Sequence, residues 1–172
     1  MPVASRQPVS WIPGNPIVRK PKLRGWVHFI AAPLSLAASI VLVVLAPTTG
    51  LKCASAVYLA SSFILFGVSA LYHLFYWKPK FERVLKRLDH SNIFLLIAGT
   101  YTPITVGTLT GNSRVVLLCV VWIGALLGIS INLLWPSAPR WLSTLIYVIL
   151  GWTAVWFLPQ MWQQRGPAIV IL

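Results

Sequence analysis

The sequence predicts an all-α integral membrane protein with five complete transmembrane helices and the start of a sixth. Three observations carry this prediction. Hydrophobic residues make up 58% of the 172 residues and charged residues only 9%. The mean hydropathy is +0.80, above that of ordinary soluble domains. The apolar residues also cluster in runs of about twenty, the length that crosses a bilayer as a helix.

The apolar runs define the expected organisation of the chain. Residues 1–25 are polar and rich in proline, which indicates a cytosolic tail. Residues 26–172 form the multi-pass domain. Its complete spans are expected at roughly 26–46, 53–77, 89–110, 114–134 and 140–159. A sixth run begins at Gly166.

Prolines and glycines indicate the shape of individual spans. Pro33 in the first span and Pro103 in the third each remove a helical hydrogen bond and should bend the helix. Gly124 and Gly128 in the fourth span have the spacing that lets two helices approach closely.

The distribution of positive charge predicts the orientation. The formal net charge is +12. Eleven of the fourteen basic residues fall in the tail, in the predicted loop 78–87 or at Arg140, and three fall on the other side. The positive-inside rule therefore places the N-terminus in the cytosol, and we expect a multi-pass protein of the plasma membrane. The positive charge thus sets the orientation in the membrane, and the expected partner is the lipid bilayer. Nucleic acid is excluded as a partner because no basic stripe is interleaved with stacking aromatic residues.

Polar residues interrupt the apolar pattern at the cytosolic ends of spans two and three. Ser69 and His73 are four positions apart and share one helix face. Asp89 and His90 open the third span at the same expected depth. Ionisable groups in membrane segments are costly and therefore mark candidate functional sites. The alternative is structural, because Asp89 or Ser91 could cap the third helix.

Three blocks of residues, in order along the chain, resemble a known family. RGWVH at 24–28, SALYH at 69–73 and LDHSNIFLLIAGTYTPI at 88–104 are similar to the signature blocks of the hemolysin III family, relatives of the progestin and adipoQ receptors. The resemblance implies a seven-helix-type bundle with a cytosolic N-terminus and a zinc ion near the cytosolic face. It implies His73 as a metal ligand, Asp89 as the residue that holds the metal-bound water, and Ser69 as a hydrogen-bonding partner of the site.

The sequence departs from the family pattern in its remaining ligands. The resemblance implies two more histidines in an H-x-x-x-H pair on a seventh helix, whereas the sequence contains only His28, His73 and His90. We therefore expect a chain that stops before helices six and seven and holds zinc weakly or not at all. His28 or His90 could complete the ligand set, although His90 should point about 100° away from Asp89 on a helix.

Three classes of function follow. The first is a zinc-dependent membrane hydrolase acting on a lipid substrate such as a lipid amide, inactive in this 172-residue form. The second is a membrane-active cytolysin, which only the family's name implies. The third is a receptor-like or structural membrane protein whose polar cluster locks helices two and three.

Overall fold

The computed structural model describes residues 22–135 and 138–165, and every regular element among them is a helix. The predicted all-α class is confirmed. The helices are α1 (Lys22–Leu45), α2 (Thr49–Leu74), α3 (Pro79–Thr108), α4 (Gly111–Leu134) and α5 (Arg140–Arg165). Most of the predicted tail and the sixth run from Gly166 lie outside the described residues.

The first part of α3 corrects the predicted loop at 78–87. The turn contains only residues 75–78, and the helix is continuous from Pro79 to Thr108. Proline is favoured in the first turn of a helix, and Arg83, Lys86 and Arg87 are good helix formers, so positive charge here did not indicate a loop. The capping alternative is also wrong, because Asp89 and Ser91 lie well inside α3, whose N-cap is Lys78.

The last two helices begin or end away from their predicted limits. Helix α4 begins at Gly111 rather than 114, and Gly111 has a φ of +62° that favours glycine. Helix α5 runs from Arg140 to Arg165 and includes Pro159, at which the predicted span ended.

Successive helices alternate in direction, so the start of each odd-numbered helix lies beside the end of an even-numbered one. A Cβ atom added at Gly25 of α1 would lie 3.0 Å from Cβ of His73 near the end of α2. The Arg87 guanidinium of α3 donates to the carbonyl of Leu133 at the end of α4 (3.4 Å). We call this end of the bundle the basic end. Its basic residues include Lys22, Arg24, Lys78, Lys80, Arg83, Lys86, Arg87 and Arg140.

The distribution of polar residues is inverted relative to a soluble protein. The buried residues of the described helices include many serines and threonines together with His73, Asp89 and Asn92. Large apolar side chains cover the outside, among them Leu45, Trp152 and Trp156. This pattern fits a lipid-facing surface, because lipid solvates apolar side chains and cannot satisfy polar ones.

Four of the described helices are long and apolar enough to cross a membrane: α1, α2, α4 and α5. Helix α3, which contains the predicted third span 89–110 up to Thr108, is not among them. Its basic first third and its buried Asp89, Ser91, Asn92 and Thr105 lower its hydropathy. This helix packs against α2, α4 and α5, so its neighbours rather than lipid cover much of it.

Two glycines let the helices around α3 approach closely. A Cβ atom added at Gly99 would lie 2.7 Å from Cβ of Ser61 on α2 and closer still to its hydroxyl. One added at Gly128 of α4 would lie 2.5 Å from Cζ of Phe94 on α3. Real Cβ contacts are longer than this, so both helix contacts require glycine, as expected where small residues allow membrane helices to pack.

Candidate functional site

The polar centre of the bundle is a histidine and an aspartate that face each other across the contact between α2 and α3. Nε2 of His73 lies 3.6 Å from Oδ2 of Asp89, and the two side chains are only 6% and 10% exposed. The sequence-based expectation that they share one depth is met, although through a different local structure. The pair lies at the basic end of the bundle, near the end of α2.

The turn between α2 and α3 explains how Asp89 reaches His73 from well inside a helix. The chain turns at residues 75–78 and enters α3, which runs back beside α2. Asp89 lies ten residues after Pro79 in α3, where it meets His73 near the end of α2. The indole of Trp77 donates to the carbonyl of Leu71 (2.9 Å) and so fixes this turn to the end of α2.

Ser69 belongs to the same buried helix face as His73. It lies one turn before His73 and is 1% exposed. Its hydroxyl is buried and has no hydrogen-bond partner among the described residues. The same is true of the side-chain nitrogen of Asn92, one turn after Asp89 on α3. Such groups are costly unless they bind water or another ligand, so a polar occupant between α2 and α3 would stabilise both.

Sequence reasoning missed Asn92, which the structure buries beside the proposed site residues. Its position three residues after Asp89 was the available signal, because positions i and i+3 share a helix face. Both side chains are buried, and their spacing places them on one face of α3.

The other two histidines differ in their relation to the site. His28 of α1 contacts the ring of Phe66 with centroids 5.6 Å apart, and it lies within electrostatic range of Asp89. His90 has separate contacts, because its Nδ1 lies 2.7 Å from the carbonyl of Lys86 and its own carbonyl accepts a hydrogen bond from Tyr147 of α5 (3.0 Å).

This site offers two side chains, His73 and Asp89, that could bind a metal ion. An imidazole nitrogen and a carboxylate oxygen are both zinc ligands, but a catalytic zinc normally has three protein ligands and an open position. Within residues 22–135 and 138–165, no group of three or more His, Cys, Asp or Glu side chains is arranged to hold a metal ion. The described residues therefore do not form a complete zinc site.

Comparison with known proteins gives one family. A family model described as "Haemolysin-III related" matches residues 17–170. The chain is 40% identical over 131 residues to Hemolysin-3 of Bacillus cereus, covering 74% of this chain and 59% of that protein. It is 35% identical over 137 residues to the Hemolysin-3 homolog of Bacillus subtilis strain 168, covering 74% and 61%. The matches thus span about three fifths of each relative. No solved structure matches significantly.

Proposed function

The chain belongs to the haemolysin-III-related family of membrane proteins, and from this premise we propose that its function centres on His73, Asp89 and Ser69 as part of a zinc-dependent hydrolase site for a lipid amide. The observation that carries the proposal is the buried pair, with Nε2 of His73 3.6 Å from Oδ2 of Asp89. Burial of an ionisable pair between membrane helices is a default indication of function.

Each residue has a role that its position supports. The carboxylate of Asp89 lies beside the imidazole of His73, where it can orient that ring and hold a water bound to a metal ion. Ser69 offers a buried hydroxyl one turn away, which can donate to or accept from a polar group held between the helices. The close approach of α2 and α3 at Ser61 and Gly99 limits the entry of water from the opposite end.

The ligand count limits what this chain does alone. His73 and Asp89 supply two donors where a catalytic zinc needs three. We therefore assign these residues to one part of a metal site. In residues 1–172 alone, zinc binding should be weak and hydrolysis absent.

We further propose that the basic end lies on the cytosolic side of the plasma membrane and that α3 crosses the bilayer with its neighbours. Gly107 of α3 packs near Leu51 at the start of α2, and Asp89 packs against His73 at its end. Helix α3 therefore runs beside almost the whole of α2, which is long and apolar enough to cross. The site would then meet substrate at the cytosolic interface.

A hybrid protein tests the proposed activity. The matched residues of this chain replace the corresponding segment of the Bacillus cereus relative, whose remaining residues can supply further ligands. Hydrolysis of a fluorescent ceramide, a lipid amide, is measured in nanodiscs for the hybrid, the parent relative and the His73→Ala, Asp89→Asn and His90→Ala hybrids. We expect zinc-dependent hydrolysis that falls at least about a hundredfold in the first two variants and persists in the third. An inactive hybrid, or activity unaffected by His73→Ala, would overturn the proposal.

A second candidate is cytolysis, which the names of the two hemolysin relatives favour. Its test is dye release from liposomes by the purified chain at increasing protein-to-lipid ratio. Release that is unchanged by Asp89→Asn would support cytolysis as an activity separate from the polar site, and absence of release would exclude it.

A further inference from the structure

A second polar site lies at the basic end, between the start of α3, the end of α4 and the start of α5. It is a cavity of about 710 Å³. Four lining residues, Arg83, Lys86, Arg87 and His90, are on α3. Their spacing of i, i+3, i+4 and i+7 places them on one face of the helix. No acidic residue is among the described residues that line the cavity.

The cavity is separate from the His73–Asp89 pair. Asp89 faces α2, whereas the next residue, His90, lines the cavity on the side of α5. Tyr147 of α5 also lines the cavity and donates to the carbonyl of His90 (3.0 Å), which ties α5 to this part of α3. The cavity therefore has walls from different helices and lies on another face of α3 from the pair, with Asp89 within electrostatic range of its Tyr147.

The contacts of the lining residues leave hydrogen-bond donors for a ligand. Asn132 accepts a hydrogen bond from Ser143 (2.9 Å) through Oδ1, while its buried Nδ2 lies beside the Tyr147 hydroxyl and has a second N–H for a ligand. The guanidiniums of Arg83 and Arg87 each bond a backbone carbonyl through one nitrogen, at 3.3 and 3.4 Å. Each guanidinium has five N–H donors, so most remain available. An amide N–H beside three cations matches an anion with several acceptor oxygens.

The surroundings favour a lipid as the source of that anion. Ile93 and Trp135 also line the cavity and provide apolar contact beside the charges. The three cations precede the apolar part of α3, so they lie where a membrane helix meets the headgroup region. Basic pockets between helices at that level bind anionic headgroups. We propose that this cavity binds the phosphate of an anionic membrane phospholipid, with Arg83, Lys86 and Asn132 as its principal contacts.

Lipid binding by the purified chain tests this proposal. The chain is reconstituted in phosphatidylcholine nanodiscs with increasing phosphatidylglycerol, and bound lipid is measured by native mass spectrometry. Arg83→Gln with Lys86→Gln should weaken phosphatidylglycerol binding about tenfold or more. The matched control, Lys78→Gln with Lys80→Gln, removes the same charge from the same end but outside the cavity, and it should leave binding within about twofold. Equal loss in the control would show diffuse charge attraction only and overturn the proposal.

Two further arms separate the remaining outcomes. Asn132→Asp keeps the shape of the side chain and places a negative charge in the cavity, so it should also abolish lipid retention, with folding checked by circular dichroism. Inorganic phosphate is titrated as a competitor. Failure of about 10 mM phosphate to displace the lipid supports a lipid site, whereas binding of phosphate with no preference for phosphatidylglycerol would overturn it.

Discussion

Asp89 of α3 faces His73 of α2 at 3.6 Å from a position ten residues inside its helix. The turn at 75–78 and the basic first part of α3 separate these two residues along the chain. The arrangement separates two features that the sequence places side by side: Asp89 turns toward α2, and the basic face of α3 turns toward α4 and α5. One helix thereby serves two candidate sites.

Removal of one member of the His73–Asp89 pair should destabilise the bundle. His73→Ala leaves a buried carboxylate without its imidazole, and loss of one partner of a buried pair costs about 3 to 5 kcal/mol. Asp89→Asn should cost less, and the double variant should cost less than the sum of the two. The free energy of unfolding in detergent measures this cycle, with His90→Ala as the control. Additivity within about 0.5 kcal/mol would show that the pair is not coupled.

Gly99→Ala should destabilise the contact between α2 and α3. The added Cβ atom would lie 2.7 Å from Cβ of Ser61, and overpacking of this kind costs about 1 to 3 kcal/mol. Gly67→Ala on α2 is the matched control, because a Cβ atom there meets nothing within 4 Å. Ser61→Gly should partly restore the Gly99→Ala variant. Equal thermal stability of the two alanine variants would disprove the close approach.

Tyr101→Phe should weaken the contact between α3 and α5. The Tyr101 hydroxyl lies 2.8 Å from the carbonyl of Leu150 and accepts from the amide of Ala154 at 3.0 Å, so it joins α3 to two groups of one helical turn. Loss of the hydroxyl removes hydrogen bonds that join α3 to α5, at about 0.5 to 1.5 kcal/mol, while Leu150 and Ala154 remain helical partners within α5. Tyr76→Phe, at an exposed side chain, should change nothing. Faster amide exchange confined to α5 would be the expected signature, and unchanged exchange there would refute the role.

Single cysteines should report the orientation of the basic end. In a background with Cys53 and Cys119 replaced by alanine, Lys78→Cys should resist a membrane-impermeant maleimide in intact cells, whereas Thr110→Cys at the other end should react. The turn at 75–78 is the site for such a probe because residues 79–87 are helical. Labelling of Lys78→Cys alone would place the basic end outside and remove the cytosolic assignment.

The sequence predicted the helical class, the apolar runs and the proximity of His73 to Asp89 because each depends on local composition and spacing. It did not predict that α3 begins at Pro79, since basic residues suit a helix and a cytosolic loop equally well. Asn92 was missed because its spacing from Asp89 indicates a shared helix face but not burial, which depends on how α3 packs against its neighbours. The cavity beside His90 depends on the angle at which α5 meets α3, and that angle is not encoded in the period of either helix alone.

The most direct test of the central claim is the zinc affinity of residues 1–172 purified alone. Bound metal is first removed with a chelator, and zinc is then titrated into the protein in a calorimeter. Two donors should bind zinc more weakly than about 1 μM, since structural zinc sites with four ligands are far tighter. His73→Ala and Asp89→Asn should each abolish that binding, and His90→Ala should leave it unchanged. One zinc per chain that survives the chelator and is lost on His73→Ala would contradict the two-donor assignment and point to a third ligand, such as His28 or a residue of a second copy. Binding that is indifferent to His73→Ala would contradict the site itself.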